Sequence, residues 1–117
     1  MNTTEKSAFN FTDGFEQTAM DVYRIAIEKG WWDEAREDGT LIALMHSELS
    51  EALESLRHGN KPSDKIPSFS GVEEELADVV IRIMDYSKAR NLRLGAAIVA
   101  KIDYNRGRAY KHGGKKF

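Results

Sequence analysis

The sequence contains no cysteine, only two prolines and no long apolar run. Without cysteine there are no disulfides, no thiolate metal sites and no cysteine nucleophile. That usage fits a reducing compartment, and a cytoplasmic protein is expected. Nothing approaches the roughly 20 apolar residues needed to span a bilayer, and the first stretch, MNTTEKSAF, lacks the basic-then-apolar pattern of a secretory signal. A charge excess is missing as well. The 17 basic and 19 acidic residues leave a net charge of −2, so no overall field favours a nucleic-acid polymer or an anionic membrane. There is also no alternating strand pattern of useful length, no internal repeat, no G-x-x-x-x-G-K-[ST] loop, no G-x-G-x-x-G fingerprint and no G-x-S-x-G elbow. Covalent catalysis has no obvious agent, which leaves metal-activated water.

What is present is helical periodicity. The 117 residues suffice for one domain with a real core. Behind a polar arm over about 1–12, Phe15, Ala19, Val22, Tyr23, Ala26 and Ile27 recur at helical spacing, with Asp13 as the expected N-cap and Gly30 just past the end. WWDEAREDGT breaks the pattern. Thr40 or Asp38 can cap a second helix from about Leu41 to Arg57, and both prolines fall in the following crossover, HGNKPSDKIPSFSG. A third helix runs from about Val72 to Arg90 with Val72, Leu76, Val79, Val80, Ile83 and Tyr86 on its apolar face. A fourth, from about Ala96 to Arg106, leads into a glycine-rich basic tail at about 109–117. The expected fold is all-α, a four-helix bundle in a single domain over 1–117. Ile25 and Ile81 fall off the core stripes of their helices and hint at a subunit contact.

The second helix poses a question of charge. At about 100° per residue, Leu41, Leu44, Met45, Leu49, Ala52, Leu53 and Leu56 gather on one side, and Glu48 lands among them with Glu51 at the edge. An unpaired carboxylate in such a place is costly unless a cation or a metal faces it. The third helix repeats the shape: Glu75 and Asp78 are again three apart beside the apolar stripe. Residues so spaced have Cβ atoms about 5–6 Å apart, and packed helix axes lie about 8–10 Å apart. Four carboxylates can thus converge into an all-oxygen cage suited to Mg²⁺, with Mn²⁺ as a substitute. A di-iron site would need E-x-x-H motifs, which His46 and His58 do not supply. Near the chain's end, Lys101, Asn105 and Arg108 share one face if the fourth helix reaches that far, a cationic and amide-bearing stripe fit for a polyphosphate.

KGWWDE (29–34), MHSELSEALESLRHG (45–59), GVEEELADVVIRIMD (71–85) and KIDYNRGRAYKHGGKKF (101–117) together resemble the MazG-like members of the all-α nucleoside triphosphate pyrophosphatase superfamily. The resemblance implies a helical fold assembled as a homodimer or homotetramer. It also implies Mg²⁺-dependent cleavage of a ribo- or deoxyribonucleoside triphosphate between its α and β phosphates, giving a monophosphate and pyrophosphate, in nucleotide-pool control or house-cleaning. By the same likeness Glu48, Glu51, Glu75 and Asp78 bind the metal, and Lys101, Asn105 and Arg108 contact phosphates. Many relatives carry a glutamate where this chain has Ser47, which puts the water-activating base in question. Glu51, at the stripe edge and able to reach solvent, is the expected catalytic carboxylate, and Trp31 offers a flat surface for the nucleobase. The alternative is a non-catalytic helical binding or assembly module whose acidic stripes pair with a partner's basic residues. A second alternative keeps the enzyme but changes the bond cut, giving a phosphate-releasing nucleotidase or a diphosphate-specific enzyme.

Overall fold

The computed structural model describes residues 1–108, so the tail expected at 109–117 lies outside the described residues. The described residues form four α-helices: α1 (Thr3–Glu28), α2 (Asp38–Arg57), α3 (Gly71–Ala89) and α4 (Leu94–Arg106). Among the described residues the β-type pairing is confined to one bridge between Pro62 and Ser70, so the all-α expectation holds. No helix among them is long and apolar enough to cross a membrane. Contacts divide the chain into a terminal unit, Met1–Gln17 with the chain from Leu92 onward, and a central unit, Thr18–Asn91.

In the terminal unit, α1 begins well ahead of the expected Asp13 cap, and the expected polar arm is helical from Thr3. The cause is a reciprocal capping box. Asn2 Oδ1 accepts from the Glu5 backbone N–H at 2.8 Å, and Glu5 Oε2 accepts from the Asn2 N–H at 3.1 Å. Asp13, inside the helix, instead accepts from Gln17 Nε2 at 3.1 Å. The first turn of α4 comes close to this part of α1. Gly95 is buried, its N–H donates to Glu16 Oε1 at 3.0 Å, and a Cβ there would lie 3.3 Å from the Thr12 carbonyl and 2.9 Å from Glu16 Oε1.

In the central unit, α2 and α3 pack antiparallel, with Asp38 meeting Arg90 at one end and Glu48 meeting Arg82 midway. Leu41, Met45 and Ala52 from α2, Val79 from α3 and Ala19 from α1 are its buried apolar side chains. The expected Asp38 or Thr40 cap on α2 does not form. Glu37 occupies the cap position without a side-chain bond. The Asp38 carboxylate is taken by Arg90 Nε at 2.7 Å, and this hydrogen bond holds its pKa below the usual carboxylate range. Helix α3 is capped by Ser70 and Glu73 in a second capping box. The crossover turns through two left-handed residues, Gly59 and Asn60 (φ 87° and 48°). It closes where Asn60 Oδ1 accepts from the Val72 N–H at 2.9 Å and the buried Ser63 hydroxyl bonds Glu74.

One expectation about the core is corrected. Leu49, Leu53, Leu56, Leu76 and Val80, read from the sequence as core-facing, remain between 45% and 54% exposed. The apolar stripe on each helix is wider than a single helix contact covers. On α2 the three leucines sit roughly 70° round from the buried residues, whereas on α3 Leu76 and Val80 lie on the same side as the fully buried Ser87. The α2/α3 hairpin thus leaves these apolar side chains half-exposed. Gly95→Ala should lower the unfolding free energy by about 1–2 kcal/mol through overpacking against α1, even though alanine is the better helix former; a urea denaturation midpoint no lower than that of the parent would contradict the contact.

Candidate metal centre

Three of the four expected acids come together. One carboxylate oxygen each from Glu48 on α2 and Glu75 and Asp78 on α3 lie within 4.8 Å of one another. Their convergence follows from the helical period: Glu48 sits in line with the buried Leu41, Met45 and Ala52, and so points at α3. Glu51 is exposed and stands outside this trio, although its charge reaches Glu75.

The side chain facing Glu48 is Arg82. Its Nε donates to Glu48 Oε1 at 2.8 Å, with the glutamate side chain only 17% exposed. Sequence reading did not single out Arg82, yet the signal was there: it follows Asp78 by four residues and shares its face of α3. Asp85 and Arg36 were passed over likewise. Lys65, in the crossover, carries no periodic signal.

Glu48, Asp78, Arg82 and Asp85 line a cleft of about 510 Å³ together with Lys29, Arg36 and Lys65. Its apolar wall is made by Val22, Ile25, Ala26, Trp31 and Ile81. Ile25 and Ile81, suspected of a subunit contact, are thus cleft residues here. Glu75 lines an adjoining recess of about 360 Å³ with Lys61 and Glu74, and Lys65 borders both spaces. The two tryptophans divide their roles. Trp32 is an anchor: its Nε1 donates to Asp85 Oδ1 at 2.9 Å, Tyr23 meets its ring edge, and Arg36 and Arg90 lie over it at 5.3 and 5.7 Å. Trp31 is 59% exposed on the cleft, with Arg36 5.9 Å from its ring. Lys101, Asn105 and Arg108 are exposed residues of the terminal unit. Because α4 ends at Arg106, Arg108 lies past the helix, its N–H donating to the Asn105 carbonyl at 3.1 Å, and Lys101 rests over Tyr104 at 4.5 Å.

Crowding shows in the protonation of the acids. Burial, then the charges of Glu48 and Glu74, push the Asp78 carboxyl above its ordinary pKa, with Lys65 and Arg82 opposing. Burial, then Glu74, Asp78, Glu48 and Glu51, do the same to Glu75. Asp85 is raised by burial against the Trp32 hydrogen bond and the charges of Arg36 and Arg82. A set of three acids, all oxygen donors from two helices, fits a hard divalent cation, although Arg82 is already paired with one of them. No known protein family, curated protein or solved structure matches the chain.

A carboxyl whose folded-state pKa is raised destabilises the fold once ionised. That penalty is present above the folded pKa and vanishes as pH falls below the ordinary carboxylate range. Glu75→Gln should therefore raise the melting temperature at pH 7 in chelator by roughly 2–4 °C and give no gain near about pH 3. Calorimetry at the two pH values checks it, and an equal gain at both would remove the charge argument.

Proposed function

We propose that this protein is a Mg²⁺-dependent nucleoside triphosphate pyrophosphohydrolase of the MazG-like kind, cutting between the α and β phosphates. The observation that carries the reading is the trio Glu48, Glu75 and Asp78, brought within 4.8 Å beside a cleft whose wall includes an exposed tryptophan. Cations and an aromatic surface within reach of clustered acids suit a ligand with a flat base and a polyanionic tail. The sequence resemblance supports the same reading and names the bond cut.

In this reading Glu48, Glu75 and Asp78 hold the cation. When bound, it supplies positive charge to the phosphates and acidifies water. Glu51, one turn beyond Glu48 and open to solvent, takes the proton from the attacking water. Trp31 stacks on the base while Lys65 and Arg36 draw the phosphates into the cleft. Assignment of Lys101, Asn105 and Arg108 as phosphate contacts rests on the sequence resemblance. The half-exposed side chains of Leu49, Leu53, Leu56, Leu76 and Val80 support self-association into a dimer or tetramer, since large apolar side chains left open together mark interaction sites.

One observation favours the rival reading, a non-catalytic assembly module: Glu48 already has a cationic partner in Arg82. Turnover separates the two. Ribo-, deoxyribo- and modified triphosphates incubated with Mg²⁺ should yield pyrophosphate and monophosphate rather than orthophosphate. Glu48→Gln should be inert and Glu51→Gln at least about 100-fold slower. Folded protein that turns over none of the panel leaves the assembly reading standing. Leu53→Glu should shift the protein to a smaller species in light scattering coupled to gel filtration, whereas an unchanged mass would place the assembly contact elsewhere.

A further inference from the structure

We propose that Arg82 is a built-in counter-ion of the acidic trio, competing with divalent cations for Glu48 and thereby setting the affinity of the centre for them. The inference rests on the reading of the trio as a divalent-cation site, and it concerns how hard that site is to fill. Arg82 is held at 2.8 Å from a carboxylate that is itself one of the three cation-ligating candidates. Arginine carries a fixed positive charge, so the pair opens by movement of the side chain. For Glu48 to offer the Oε1 lone pair that Arg82 occupies to another cation, that bond must be loosened or shared.

Two features make the exchange feasible. The Arg82 side chain is 36% exposed, so a displaced guanidinium has water at hand, while Glu48 at 17% remains largely shielded and needs a positive partner at all times. Arg82 also lines the cleft with Trp31 and Lys65, where an anionic ligand would meet it. A bland account, in which Arg82 merely fastens α2 to α3, predicts no competition. The two accounts diverge on cation affinity rather than on turnover.

The test is Mn²⁺ binding to the full chain, followed by electron paramagnetic resonance of free Mn²⁺ and without nucleotide. Arg82→Gln, which keeps a hydrogen-bond donor but drops the charge, should bind Mn²⁺ roughly threefold tighter or more, and Arg82→Lys should stay within roughly twofold of the parent. Binding to Arg82→Gln that is equal to the parent's or weaker overturns the proposal while leaving the metal reading intact. If the parent shows no binding up to about 10 mM but Arg82→Gln does, competition is supported in its strongest form. If neither binds, both readings fall. A second measurement uses the parent protein and does not depend on the glutamine variant folding. The Arg82 Nε–H resonance, assigned by its loss in Arg82→Lys, should move on titration with Mg²⁺; a resonance that stays put while calorimetry shows the site saturated overturns the proposal.

Discussion

The packing of α2 against α3 is the contact on which the candidate site depends. It brings together acids contributed by two helices, and it is closed along its length by two ion pairs of different character. Asp38–Arg90 sits at the end of the pair, with the aspartate exposed, and contributes little of the stability expected of buried contacts. Glu48–Arg82 lies midway, and losing the arginine there would leave the shielded glutamate charge poorly solvated. The helix pair thus holds more negative charge than it can comfortably carry. Burial first, and the neighbouring carboxylates after it, raise the pKa of Glu75 and of Asp78.

Much of this was legible in the sequence because it is periodic. The inward direction of Glu48 and its convergence with Glu75 and Asp78 follow from helix geometry and a short crossover. Arg82 was equally periodic, four residues past Asp78, but a lone arginine on an acidic helix reads as an ordinary i, i+4 surface partner and its pairing with Glu48 crosses to the other helix. The start of α1 was carried by Asn2 and Glu5, a three-residue spacing that outweighed the polar look of the first twelve residues. By contrast, the loss of the Asp38 cap was not readable locally, since the competing group, Arg90, lies at the far end of the next helix. The exposure of Leu49, Leu53 and Leu56 was hidden for a related reason: periodicity reports that a face is apolar and does not say which neighbour covers it.

The tryptophan pair shows how an adjacent duplicate residue acquires two roles. Trp32 is fixed by a hydrogen bond to Asp85, by the Tyr23 ring and by two guanidinium groups, so its plane is set by the fold. Trp31, one position earlier, inherits a rigid backbone from its neighbour and keeps its ring exposed. A flat surface presented from an anchored loop needs little backbone ordering when something stacks on it.

The acids do not all open onto the same space. Glu48 and Asp78 border the larger cleft, while Glu75 borders the recess under the crossover, and Lys65 stands at the edge of each. The trio accordingly has a front and a back entrance. A guest seated against the indole in the larger cleft would therefore leave the Glu75 side of the trio facing the recess.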